Sequence, residues 1–169
     1  MSDTENAAQP GSPAVDTDGG ASRAKGGQVK HTVTARTKAR RRAVDLLFEA
    51  ESRGLNAGDL ASERAERPVT PAPLNEYTIT AVRGVVAHWT DINDALTTYS
   101  QGWSLERMPD VDRAILRLGA WEILYSEDVP DEVAVSEAVV LATELSTDES
   151  PKFVNGLLAR LVEVKPTLV

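Results

Sequence analysis

Asp110-Val111-Asp112-Arg113-Ala114-Ile115-Leu116-Arg117-Leu118-Gly119-Ala120-Trp121-Glu122-Ile123-Leu124-Tyr125 is the stretch on which the fold turns. A helix advances about 100° per residue. At that step Val111, Ile115, Leu116, Leu118, Ala120, Ile123 and Leu124 do not gather into one stripe but encircle the helix. A helix that is apolar on most sides has to be covered by neighbours. The spacing therefore predicts a central helix from Asp110 to Tyr125 with other helices packed round it.

Those neighbours can be read on both sides. Downstream, Pro130 interrupts the chain before a helix from Val135 to Leu145, where Val135, Ala138, Val139, Leu141, Ala142 and Leu145 are spaced for packing. Ser150 followed by Pro151 is a cap-plus-first-turn signal for a last helix carrying Phe153, Val154, Leu157, Leu158, Leu161 and Val162. Upstream, Ile92, Leu96 and Tyr99 form a stripe that Gly102 ends, preceded by a helix from Asn75 to Trp89. Pro68, Pro71 and Pro73 mark a loop after a short helix from Asp59 to Glu66. A first helix from Thr37 to Arg53 buries Ala39, Ala43, Leu46, Leu47 and Ala50, with Gly54 as its C-terminal cap. No segment alternates with period two and no internal repeat is evident. The predicted architecture is all-α, a compact bundle of about six or seven helices in one domain spanning 35–165. Residues 1–34, rich in Gly and Pro and poor in large apolar side chains, are expected to be a disordered tail, and 166–169 a short C-terminal tail.

Composition narrows the function. Hydrophobic residues make up 41% and aromatics 5%, so the core must be built mainly from Val, Leu and Ala. With no cysteine, disulfides, thiolate zinc sites and cysteine nucleophiles are excluded. His31 and His88 are too few for a histidine-rich metal site, and neither has a visible catalytic partner. There is no phosphate-binding glycine loop of the GxxxxGK[ST] or GxGxxG type. Neither catalysis nor a cofactor finds support. No apolar run approaches the roughly 18 residues of a bilayer span, and the N-terminus lacks a secretory pattern. The expected location is the cytoplasm, with no membrane partner.

Charge becomes informative once divided. The net charge is −8, yet residues 23–42 carry eight basic and no acidic residues, while 43–169 carry 10 basic and 22 acidic. A concentrated basic arm on an acidic body suits a local polyanion site, because clustered cations release condensed counterions. A solubilising tail beside a charged helix start is the plainer reading of the same pattern. On the first helix Arg41 and Phe48 share a side two turns apart, off the apolar stripe. An off-core ring beside a guanidinium suits single-stranded nucleic acid. The same spacing, with Val44 between them, also allows Val44 and Phe48 to be a second buried stripe. Trp89, Trp103 and Trp121 read as packing residues, and the carboxylates Asp110, Asp112, Glu132 and Glu137 as solvated helix charges.

Several strings carry a resemblance. Asp112-Arg113-Ala114-Ile115-Leu116-Arg117-Leu118-Gly119-Ala120-Trp121-Glu122-Ile123-Leu124 is one. Val129-Pro130 with Val133-Ala134-Val135-Ser136-Glu137-Ala138 is another, and Lys152-Phe153-Val154-Asn155-Gly156-Leu157-Leu158 a third. With the basic start Arg36 to Arg42 before Ala43-Val44-Asp45-Leu46-Leu47-Phe48, they closely resemble the NusB family of bacterial transcription antitermination factors, over about residues 36–163. The resemblance implies two small helical sub-bundles and a non-enzymatic protein. It also implies pairing with the small-subunit ribosomal protein NusE, binding of the boxA element of nascent ribosomal RNA, and action within the RNA polymerase antitermination complex. Monomers and homodimers both occur in the family.

Residue by residue, the resemblance places Arg36, Lys38 and Arg40, with the adjacent Arg41, in the arginine-rich RNA-binding helix. Phe48 stands where an RNA-contacting tyrosine is usual. Lys152, Phe153 and Asn155 fall on the same RNA face, beside the acidic Glu149 that tempers affinity. Glu106, Asp112 and Arg113 match the partner-facing surface. Thr37 and Ser136 depart from the family's usual basic residue and Asn, and Arg41 and Arg42 add charge. None of the four clustered cations falls on the apolar stripe, so the fold is not expected to depend on them. A helical module that binds only proteins, its basic arm docking on acidic partners, is the alternative.

Overall fold

Most helix starts are set by a side-chain cap or a proline. The computed structural model describes residues 33–169; the expected disorder of the tail falls almost wholly on residues outside this range. α1 (Ala35–Arg53) begins two residues earlier than its apolar stripe suggests, because the Thr34 side chain accepts a 3.1 Å hydrogen bond from the Thr37 amide. It ends at Gly54, whose φ of +67° closes the helix in the left-handed region. Asn56 caps α2 (Ala57–Glu66) and Asn75 caps α3 (Glu76–Ala87), each through its side-chain oxygen. α4 (Trp89–Tyr99) follows after the single residue His88, and a short 3-10 turn spans Leu105–Arg107.

Prolines introduce the remaining helices. Pro109 precedes α5 (Asp110–Tyr125) and Pro130 precedes α6 (Asp131–Leu145). α6 starts well before the expected Val135, since the Pro130 carbonyl accepts from the Val133 and Ala134 amides and two acids occupy the first turn. α7 (Ser150–Leu168) runs through Pro166, past the expected boundary at 165. Pro166 has no N–H to give the Val162 carbonyl, so this last turn is held by one backbone hydrogen bond fewer. Among the described residues the architecture is seven α-helices with no strand.

α1, α2 and α3 pack on one another, and α4, α6 and α7 pack around α5. α5 also touches α1 and α3, so it joins the two groups. From Ala114 to Leu124 every residue of it is buried. Ile115, Leu116, Leu118 and Ile123 meet Ile92, Leu96, Leu141, Leu158 and Leu161 in one continuous core. Fully burying a side chain of this size contributes about 1.5–3 kcal/mol.

The α3–α5 contact is closest at Gly84, where a Cβ would overlap the Trp121 indole. Trp121 is only 7% exposed and has little room to move. Gly84→Ala is therefore expected to destabilise the protein by about 1–3 kcal/mol, despite the better helix propensity of alanine. A thermal melt showing equal or greater stability for the variant would contradict this packing.

Candidate nucleic-acid interface

α1 buries two rows of side chains. Ala39, Ala43, Leu46 and Ala50 belong to the stripe read from the sequence, and Leu47, the fifth member of that stripe, also lines up with Thr37, Arg40 and Val44, at i, i+3, i+7 and i+10, in a second row beside it. What remains outward is the row Lys38, Arg41, Asp45 and Phe48, together with Arg36. Val44 belongs to the core, whereas Phe48 is 39% exposed. The two residues that could have formed one buried stripe are thus split between inside and outside.

Arg40 corrects the expectation for the basic cluster. It is 3% exposed and points inward, where its Nε donates to both oxygens of the Glu122 carboxylate (2.9 and 3.1 Å) and its Nη2 donates to Glu122 Oε2 at 3.0 Å. The Tyr77 hydroxyl donates to the same carboxylate at 2.9 Å. Burial works against the Arg40 charge, but the hydrogen bonds and charge of Glu122 outweigh it, so the guanidinium holds its proton above the ordinary arginine value. Burial and the Glu122 charge both push the Tyr77 phenol far above its usual range, which keeps it a donor. Arg40 thus stands inside the protein, away from the surface where the resemblance placed it.

The other cations are held at the surface. The Arg36 guanidinium lies over the Tyr77 ring, 3.8 Å from its centroid. Tyr77 is fixed by Glu122, so the buried pair also positions an exposed arginine. Arg41 meets Glu144 of α6, both side chains well exposed. An exposed pair of this kind is worth up to about 1 kcal/mol and yields readily to a phosphate. Thr37, between these cations in sequence, is buried against Glu137.

The second predicted cluster opens α7. Lys152 and Asn155 are exposed, and Phe153 is half-buried against Trp103, with ring centroids 5.3 Å apart. Both line a groove of about 880 Å³ between the end of α4 and the start of α7. The α1 and α7 sets sit on different helices that both pack on α5. Trp89 and Trp103 are 38% and 43% exposed, so the packing role expected of all three tryptophans holds for Trp121 alone.

The partner-facing trio is also divided. Glu106 is exposed on the 3-10 turn. Asp112 is fully buried, contrary to its expected surface position, and its Oδ2 accepts from the Ser150 hydroxyl at 2.8 Å. Ser150 points toward this carboxylate rather than capping α7. Arg113 is mostly enclosed, pairing with Glu51 and Asp110 and donating to the Met108 carbonyl at 2.6 Å. Glu137, expected to be solvated, lies beside Thr37 and Arg40 with its side chain 13% exposed. The residues that sequence reasoning missed are Tyr77, Glu122, Trp103 and Glu51. One acid inside the apolar run of α5, and one base in register with Val44 and Leu47, were the available signals.

The NusB family model matches residues 37–163. The chain belongs to the NusB family. Transcription antitermination protein NusB from Arthrobacter sp. (strain FB24) is 60% identical over 137 residues, covering 81% of this chain and 99% of the relative. The protein of that name from Kineococcus radiotolerans is 58% identical, with 80% and 98% covered. Among solved structures, T. maritima NusB superimposes with a TM-score of 0.67 at 32% identity, over 78% of this chain and 93% of that one. A chain from a complex described as antitermination factors NusB and NusE with double-stranded RNA gives 0.66 at 27% identity, over 76% and 96%.

Within this NusB-family chain, substitutions on α1 should separate into two classes. Arg40→Ala leaves the Glu122 charge buried and is expected to cost about 3–5 kcal/mol in a denaturant titration. Replacing Arg36, Lys38 and Arg41 together by Ala should leave stability within about 1 kcal/mol. Equal losses for the two variants would refute the inward assignment of Arg40.

Acid stability should report on Glu51. Burial opposes its charge, yet hydrogen bonds from Arg113 and Arg117 prevail and hold the carboxyl below its ordinary value. Its stabilising contribution is then fully present above the unfolded value of about 4.3 and lost as pH falls through the lower folded value. Glu51→Gln should reduce stability at neutral pH and flatten its decline below about pH 4.3. An unchanged acid limb in urea titrations at stepped pH would exclude this role.

Proposed function

We infer that this chain binds single-stranded boxA-type RNA jointly with the small-subunit ribosomal protein NusE, and that the complex acts on elongating RNA polymerase in the cytoplasm without catalysing a reaction. The observation that carries the reading is the outward row of α1, where Lys38 and Arg41 lead to the exposed ring of Phe48. Cations there meet backbone phosphates, and a ring with an open face takes an unstacked base. The Glu122–Tyr77 support holds Arg36 beside this row. Asp45 within it opposes phosphate and moderates the attraction. The similarity to a chain from a complex of NusB and NusE with double-stranded RNA supports RNA and NusE as the classes of partner. Glu106, the exposed member of its trio, is assigned to the protein partner.

Fluorescence anisotropy of labelled boxA-type RNA, with and without the ribosomal protein, tests this. Phe48→Ala is expected to weaken RNA binding by about 1–3 kcal/mol while shifting stability by no more than about 1 kcal/mol. Phe48→Tyr should bind as well as wild type or better, since the ring is kept and a hydroxyl is added. RNA affinity equal for boxA and scrambled sequences, with the ribosomal protein still bound, would favour the protein-only module instead.

A further inference from the structure

Helix α6 carries the acids Asp131, Glu132, Glu137 and Glu144 and no basic residue. Two of the four are turned toward α1. Glu137 and Glu144 stand two turns apart, so they share one side of the helix. Glu137 accepts from the Thr37 hydroxyl and lies 3.8 Å from the Arg40 Nη1, and Glu144 pairs with Arg41. Ascending positions of α1 thus meet ascending positions of α6, and the two helices run side by side in the same direction here. The two contacts differ in their access to water. The Glu137 side chain is 13% exposed and belongs to the interior, whereas those of Arg41 and Glu144 are 45% and 39% exposed. The outer pair can therefore exchange partners without opening the core.

We propose that Glu144 is a built-in competitor for the RNA phosphate at Arg41, and that this carboxylate sets the affinity of the basic helix. The proposal rests on the reading that α1 binds RNA. A carboxylate and a phosphate offer a guanidinium the same pair of oxygen acceptors. Arg41 cannot give its fork of donors to both, so an RNA phosphate displaces Glu144. The displaced carboxylate stays tethered to α6 beside the phosphate and repels it. Loss of the pair and repulsion both subtract from RNA affinity. Contacts to phosphate carry no sequence information, so Glu144 weakens every single-stranded RNA alike. Phe48 lies two turns beyond Arg41 on the same side of α1. Stacking on its ring involves no charge and is not opposed by Glu144. A helix whose charge is partly answered from within the chain leaves a larger share of recognition to that ring.

The test uses the full chain with labelled single-stranded boxA-type RNA and a scrambled RNA of equal length, read by anisotropy. Glu144→Gln is expected to tighten binding of both RNAs about two- to fivefold at low salt, with the gain shrinking as salt screens the exchange. Its melting temperature should stay within about 2 °C of wild type, because an exposed pair holds little of the fold. Glu132, also exposed, lies about 120° round α6 from Glu144. Glu132→Gln removes the same charge and is expected to leave RNA affinity unchanged. In an Arg41→Ala background Glu144→Gln should give no gain, since the group it competes for is gone. An equal gain from Glu132→Gln would assign the effect to overall charge and overturn the proposal. A gain that persists without Arg41 would overturn it as well. Unchanged affinity in Glu144→Gln, with Arg41→Ala still weakening RNA binding, would overturn it while leaving the α1 reading intact. Failure of the wild-type chain itself to bind RNA would remove the α1 reading and the competitor together.

Discussion

A carboxylate in the middle of a buried helix has to be neutralised by groups brought to it from elsewhere. Left alone in a low-dielectric interior, Glu122 would cost several kcal/mol. Arg40 from α1 and Tyr77 from α3 converge on it, and each contact constrains the rotation of its helix about its own axis. With Arg40 turned inward, α1 can present only its other side to water. The exposed row of Lys38, Arg41 and Phe48 is thus a consequence of where one acid sits on α5. Such a pair need not add net stability over an apolar replacement, but it specifies orientation.

The same pairing shapes the electrostatic field. Arg53, Arg64, Arg113, Arg117 and Lys165 are all engaged by carboxylates of the chain itself. The body beyond residue 42 is strongly acidic, so a polyanion approaching most of the surface is repelled. Arg36 and Lys38 stand in the basic arm, outside this balance. Long-range attraction concentrated at the basic start of α1 orients an incoming nucleic acid before contact, and added salt weakens that steering.

The helical architecture was legible because apolar spacing and cap residues agree in this chain. Asp110 to Tyr125 was delimited correctly, and Gly54, Asn75 and Pro130 all mark boundaries that exist. Periodicity did not reveal which charged residues face inward. Arg40 and Asp112 both look like surface residues when scored by type, and both are buried because a specific partner far along the chain, Glu122 or Ser150, meets them. Such pairings depend on how the helices are oriented, which no local window contains. Phe48 is a different case: its spacing allowed either an outward ring or a second buried stripe with Val44, and only the packing of the helices shows the ring exposed and Val44 inside.

The hydrogen bond from Ser150 to Asp112 has a consequence for how the molecule breathes. It joins the first turn of α7 to the first turn of α5 in a place closed to water. Fraying either helix start strips the other of its hydrogen-bond partner. The start of the helix that presents Phe153 and the start of the helix that follows Glu106 are thereby tied to each other as well as to the core.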